Sequence, residues 1–269
     1  MGAWLLLAGC RAGPPAAAPA PGPAVVANPT ATLFVEPEDG DEPIVNELNA
    51  AARSIDAVVY LLSAREIVSA LENAEKRGVR VRVMLEEHPV GGGAGNASVY
   101  NRLRRAGVSV QWASSRFKLT HAKAIVVDER EVFIMTLNLT ASAFTRNREY
   151  GVIDRVPEDV AEAEGLFLAD WDRRSYQPSR PDLVVSPENS RARLGAIINQ
   201  AKRELDVESE EVQDDEIEAS LVAAARRGVR VRLVVSPAER GEDGNAKGIA
   251  KLKNGGVRVR YLAKPFIHA

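Results

Sequence analysis

The chain has 269 residues, 45% of them hydrophobic and 27% charged, which excludes disorder throughout and supplies one sizeable core or two small ones. Its 35 Lys and Arg against 37 Asp and Glu give a formal net charge of -2, so no overall positive field draws in nucleic acid or anionic lipid, and a polyanion has to be met locally. One Cys and three His exclude a disulfide framework and a multi-Cys zinc site.

At the N-terminus, Trp4, Leu5, Leu6 and Leu7 make an apolar run too short to span a membrane, closed by Ala8, Gly9 and Cys10. The Leu-Ala-Gly-Cys string resembles the signal-peptidase site of bacterial lipoproteins. That resemblance implies a lipoprotein-type signal segment at residues 1–10, lipid attachment at Cys10, and a mature protein anchored to membrane in a bacterial cell envelope or secreted. No Lys or Arg precedes the run, which predicts a natural start further upstream. Residues 11–30, rich in Ala and Pro, read as a semi-extended linker.

From Ala31, short apolar runs alternate with amphipathic stretches, the rhythm of an α/β fold. The pattern predicts strands at residues 32–36, 55–61, 79–85 and 108–112, with helices at 43–53, 64–76 and 97–106. Ile67, Val68, Leu71 and Ala74 recur at helical spacing, and Gly78 and Gly107 stand where C-caps belong. Glycines 91–93 lack the Gly-Lys-Ser/Thr of a phosphate-cradling loop, so this stretch and His88 beside it are expected at the surface.

Residues 119–128 read as a strand and 132–138 as its hairpin partner, with the turn over 128–131. Alternation places His121 and Lys123 on one face. With Val127 facing Val132, Lys123 lies opposite Thr136 and His121 opposite Asn138. Burying an ammonium beside an imidazole without a counter-charge is costly, so this patch suits an anion.

The chain then repeats itself. Residues 77–82 (Arg-Gly-Val-Arg-Val-Arg) return at 227–232, Pro37 and Asp56 return as Pro187 and Asp206, and Gly107-Val108 returns as Gly256-Val257. An offset near 150 at equivalent places predicts two copies of one α/β unit about a pseudo-twofold.

His121, Lys123, Asp128, Thr136 and Asn138 stand at spacings that resemble the HKD motif of the phospholipase D superfamily. Asn147-Arg148-Glu149 is similar to the family's Asn-Xaa-Glu segment, and Phe167, Asp170 and Trp171 to the aromatic helix that follows. Met135-Thr136 stand where the family has Gly-Ser, which keeps a hydroxyl but adds bulk beside the pocket. The resemblance implies two repeated phospholipase D-like α/β units, each with a mixed sheet flanked by helices. Residues 31–176 would form the first, with a complete motif, and 177–269 a second, incomplete one. Residues 265–269 align with 118–122, so His268 takes the place of the second motif's histidine, and the expectation is a chain cut within that motif.

The resemblance also implies roles. His121 would be the nucleophile that forms a phosphohistidine, and His268 the acid and then the base. Lys123 and Asn138 would stabilise the non-bridging oxygens, Glu149 would orient an imidazole, and Asp128 would anchor the hairpin. No cofactor or metal is implied. The expected partner is a phospholipid or other phosphodiester whose phosphatidyl group is hydrolysed or transferred. A nuclease acting on nucleic acid and a non-catalytic pseudoenzyme are the alternatives. The chain by itself is expected to be weakly active or inactive unless a homodimer brings two motifs together.

Overall fold

Apolar residues in short runs separated by amphipathic stretches fold into strands covered by helices, and the computed structural model follows that order. It describes residues 30–90, 95–180, 182–238 and 243–269; Cys10, the expected signal segment and the linker up to residue 29 lie outside the described residues. The first elements are β1 (Ala31–Glu36), α1 (Glu42–Ala50), β2 (Ser54–Val59), α2 (Arg65–Lys76), β3 (Arg80–Leu85), α3 (Ala97–Arg105) and β4 (Ser109–Trp112). α1 stops three residues short of the predicted end because Ala51 turns extended, with ψ 134°, and its N–H closes on Glu47.

β5 (Lys123–Val127), β6 (Glu131–Met135), α4 (Ala141–Thr145), β7 (Asn147–Asp154) and α5 (Pro157–Trp171) follow. The sheet runs β1-β7-β6-β5-β2-β3-β4, parallel through β2, β3 and β4 and antiparallel elsewhere, a mixed sheet flanked by helices. One face carries the main core, including Phe34, Ile44, Leu48, Ile55, Leu71, Val83 and Phe133. On the opposite face Val126 and Val132 pack against Val160 of α5.

Four expectations about the hairpin are corrected: the start of β5, the length of the turn, the register and the end of β6. β5 begins at Lys123 rather than at residue 119, because the Thr120 N–H is drawn to the Glu86 carboxylate at 2.7 Å instead of a strand neighbour. The turn is also one residue tighter, confined to Asp128, Glu129 and Arg130, with Asp128 and Glu129 both at φ 54°. The Asp128 carboxylate accepts the N–H groups of Ala52, Arg53 and Ser54, and the Arg53 guanidinium holds the Asp128 carbonyl, which pins the turn to the connection between α1 and β2. Val127 therefore opposes Glu131, and Ala124 opposes Ile134, one place out of the predicted register. β6 ends at Met135, and the Thr136 N–H goes to the carbonyl of Tyr150. Thr136 and Asn138 are thus not cross-strand partners of Lys123 and His121.

The remaining elements are α6 (Ser190–Gln200), β8 (Glu204–Glu208), α7 (Asp215–Arg226), β9 (Arg230–Val235), α8 (Ala246–Asn254), β10 (Arg258–Tyr261) and β11 (Phe266–Ile267). β8, β9 and β10 form a parallel three-stranded sheet over a separate core that includes Leu221, Val231, Leu233, Ile249 and Leu252. Its register repeats the first sheet's. Ser54 opposes Arg80 and Asp56 opposes Arg82; 150 residues on, Glu204 opposes Arg230 and Asp206 opposes Arg232. The ion pair of Asp56 with Arg82 returns as Asp206 with Arg232. Asn96 donates to the Tyr60 carbonyl and accepts from Leu62, while Asn245 donates to the Glu210 carbonyl and accepts from Val212. β11 joins the first sheet, pairing in parallel with β7 so that Phe266 faces Asn147 and Ile267 faces Arg148.

Candidate active site

Lys123 opens β5 and His121 lies just ahead of it, so their side chains reach the same place although only one of them is in a strand. The buried Lys123 Nζ lies 2.9 Å from His121 Nε2 and 2.9 Å from the His121 carbonyl oxygen. An ammonium only donates, so it engages the Nε2 lone pair and leaves the ring proton on Nδ1. Tyr60, one residue beyond β2, closes the other side. Its ring meets the His121 ring at 4.4 Å in an edge-on contact, with Lys123 Nζ 5.1 Å from its centre. Burial, reinforced by the charges of Lys123 and His268, pushes the His121 imidazole down to about 4. Burial likewise pulls the Lys123 ammonium down to about 8, against the opposing charges of Glu149 and Glu210.

Glu149 lies on β7 and is fully buried. Its carboxylate accepts from Thr136 Oγ1 at 2.8 Å, from Asn147 Nδ2 at 3.1 Å and from His268 Nδ1 at 2.8 Å. β11 delivers His268 to it. The strand's pairing with β7 continues into a bond from the His268 N–H to the Arg148 carbonyl, and the imidazole then falls against Glu149. The other ring nitrogen, Nε2, faces a carboxylate oxygen of Glu210 at 3.6 Å. Burial alone would lower the His268 pKa, but the Glu149 hydrogen bond and charge, with the Glu210 charge, outweigh it and raise it. Burial pushes the Glu210 carboxyl up, opposed by the charge on His268.

Among the expected site residues, His121, Lys123, Glu149 and His268 converge, and Thr136 reaches them only through Glu149. The Thr136 hydroxyl also accepts the Tyr150 N–H, so it serves as a brace for the carboxylate. Asp128 sits at the opposite end of β5. Burial would raise its pKa, and the bonds from Ser54, Ala52 and Arg53 more than offset that and lower it, as suits an anchor. Asn138 keeps a buried side-chain oxygen without a hydrogen-bond partner among the described residues, and no bond joins it to His121. Met135 is buried in the main core and lines the cavity beside Lys123.

Three site residues escaped the sequence reading. Tyr60 and Glu210 occupy equivalent places in the repeat, a signal that was available in the offset of 150. Glu36 stands opposite Glu149 across the pairing of β1 with β7, and burial pushes its carboxyl up to about 7. Among the described residues no three His, Cys, Asp or Glu side chains gather into a group that could hold a metal ion. No helix among them is long and apolar enough to cross a membrane.

A neutral imidazole under an ammonium, facing a second imidazole held by carboxylates, can bind a phosphate, attack it and protonate a leaving oxygen. Comparison with known proteins identifies relatives of this chain. The family described as "Cardiolipin synthase, PLD-like domain" matches residues 44–171 and 194–269. The chain is 31% identical over 140 residues to a phospholipase D of Rickettsia conorii, across 52% of this chain and 66% of the relative. It is 32% identical over 139 residues to the mitochondrial cardiolipin hydrolase of Homo sapiens, across 51% of this chain and 52% of the relative. The chain thus spans between about half and two thirds of these relatives' lengths. The solved polyphosphate kinase of Porphyromonas gingivalis shares the fold, with a TM-score of 0.64 at 20% identity over 88% of this chain and 42% of that one. Nuc of Salmonella typhimurium, a phospholipase D family member, aligns at 27% identity and a TM-score of 0.49 over 54% of this chain and 98% of its own. Because the family's pattern matches more than half of the chain, in two stretches that carry His121 and His268 respectively, the protein belongs to the phospholipase D superfamily.

Proposed function

We propose that the protein is a phospholipase D-type phosphodiesterase that hydrolyses or transfers the phosphatidyl group of a phospholipid through a phosphohistidine on His121. The observation that carries this reading is that the His121–Lys123 pair and the Glu149–His268 pair lie close enough for the charges of His268 and Glu149 to act on His121 and Lys123. An arriving phosphodiester draws the Lys123 ammonium from His121 Nε2 onto a non-bridging oxygen and so releases the lone pair. Nε2 attacks phosphorus in line, and His268 Nε2–H gives its proton to the departing alcohol oxygen. His268, now neutral, takes a proton from water or an acceptor alcohol, whose oxygen displaces His121. Glu149 holds His268 in the orientation that both steps need. Since His121 and His268 come from one chain, pairing the imidazoles requires no second copy.

A cavity of about 850 Å³ reaches His121 and Lys123, but its walls are built mainly on the α5 side of the sheet, by Val126, Val132, Leu166 and Phe167, and its lining does not include Glu149 or His268. A largely apolar space that runs up to the nucleophile from that side suits an acyl chain and supports a lipid substrate. The formal net charge of -2 offers no general attraction for nucleic acid, and relatives carry the names phospholipase D and cardiolipin hydrolase. In this reading residues 31–176 and 177–269 are two copies of one unit that share a single site. Acylation at Cys10 would hold that site against a bacterial envelope membrane.

The test assays the full chain in parallel on phosphatidylcholine and cardiolipin vesicles and on single-stranded DNA. Head-group release that His121→Ala lowers about a thousandfold or more is expected. DNA cleavage without lipid turnover would replace this reading by the nuclease one, and no turnover of any substrate even at protein concentrations that support a homodimer would replace it by a non-catalytic role.

A further inference from the structure

We infer that Glu210 is the positioning residue that makes His268, rather than His121, the proton donor of the pair. This deepens the phosphodiesterase reading and rests on it. The two imidazoles occupy equivalent places in the repeat, and their surroundings give them different work: Lys123 engages His121, whereas Glu149 and Glu210 face His268.

The equivalence of their neighbours is fixed by hydrogen bonds. The Asn96 side chain donates to the Tyr60 carbonyl as the Asn245 side chain does to the Glu210 carbonyl, and Leu62 and Val212 donate to the same two asparagines. Tyr60 and Glu210 are therefore the same position in the two halves, just beyond β2 and β8. Each meets the imidazole of its own half. Tyr60 lays a neutral ring edge-on against His121, whereas Glu210 points a carboxylate at His268 Nε2.

The groups that face His268 are Glu149 from β7, Glu210 from beyond β8, Lys123 from β5 and His121 from just before β5. Glu36 of β1 lies one strand further away, opposite Glu149, while the Arg148 side chain is turned to Glu38. The two carboxylates have separate tasks. Glu149 accepts from Nδ1 and so fixes the ring. Glu210 faces Nε2, the nitrogen that has to carry the transferable proton. At 3.6 Å the contact is longer than a strong hydrogen bond, so the carboxylate favours the charged ring while leaving Nε2–H free for a leaving oxygen.

The test follows the ring signals of His268 in the full chain by NMR through a pH titration. With only three His in the sequence, His268→Ala assigns the signal. In the unsubstituted protein His268 should titrate above His121; the reverse order would overturn the inference without any variant. Glu210→Gln should lower the His268 midpoint by about one pH unit. Glu210→Asp should restore most of that difference, and Glu211→Gln should leave it unchanged. A His268 midpoint unmoved by Glu210→Gln would overturn the inference. Because ring titration needs no turnover, failure here is distinct from failure of the phosphodiesterase reading, which His121→Ala decides by activity.

Discussion

In the proposed reaction His121 attacks only when neutral, Lys123 anchors the phosphate only when charged, and His268 serves as the acid only when protonated. Burial sets the first near 4 and the second near 8, and the carboxylates around His268 raise the third above its usual range. In the free enzyme kcat/KM for head-group release should therefore rise through about pH 4 and fall as pH climbs past His268 and then towards 8. A pH–rate profile whose acid limb sits at the ordinary histidine value would contradict that arrangement.

Glu36 carries a second prediction at this scale. Its folded pKa of about 7 lies above the ordinary 4.5, so the folded state holds the proton more tightly than the unfolded state. Its favourable contribution is complete below the lower value and disappears as pH rises through the upper one. Glu36→Gln retains an oxygen to accept the Gly40 N–H and cannot ionise. Urea midpoints measured from about pH 5 to pH 8 should fall less steeply in this variant than in the unsubstituted protein, whereas parallel curves would refute the assignment. His121 and Lys123 were legible through their resemblance to the HKD motif, and Glu149 through the resemblance of Asn147-Arg148-Glu149 to the segment that follows it. Glu36, Tyr60 and Glu210 lie outside both strings; the offset of 150 pairs Tyr60 with Glu210, but only the fold sets these two beside an imidazole and Glu36 opposite a carboxylate.

At the scale of elements, the hairpin of β5 and β6 shows how a single side chain sets a register. Sequence alternation placed the strands but not their offset, because the turn length depends on Asp128 being drawn to the N–H groups of residues 52–54. Asp128→Ala would leave three backbone donors without that acceptor and should destabilise the fold by about 2 kcal/mol in urea unfolding, since an unmatched buried donor costs about 1–3 kcal/mol. The residual folded enzyme should keep its KM, because Asp128 is at the far end of β5 from Lys123. An unchanged urea midpoint would show that the anchor is unimportant. Gly151 sets a similar constraint in β7. A Cβ there would lie 1.9 Å from the Phe34 ring, so Gly151→Ala should lower stability by about 1–3 kcal/mol through overpacking of β1 against β7.

Across the whole molecule, the recurrence of Arg-Gly-Val-Arg-Val-Arg, with those of Pro37, Asp56 and Gly107-Val108, underlies the expectation of two copies of one unit, and the registers of β2 with β3 and of β8 with β9 coincide at the offset of 150. The surroundings of the two sheets differ. Asp56 and Arg82 are covered by α5, where Arg82 also reaches Glu164 and stacks over Phe167, while Asp206 and Arg232 lie exposed. The junction was not foreseeable, because β11 is only two residues long and takes its place in the first sheet through β7. That small strand is what brings one imidazole from each half to a common point, and the proposed division of labour between them is the central claim.

Its most direct measurement uses His268→Ala with bis(p-nitrophenyl) phosphate, whose leaving group needs no proton from an acid. Attack by His121 should proceed while hydrolysis of the covalent ester stalls, so alkaline quenching and peptide mass analysis should find the nitrophenyl phosphate on His121. Nitrophenol release with no adduct, or with the adduct on another residue, would contradict the account.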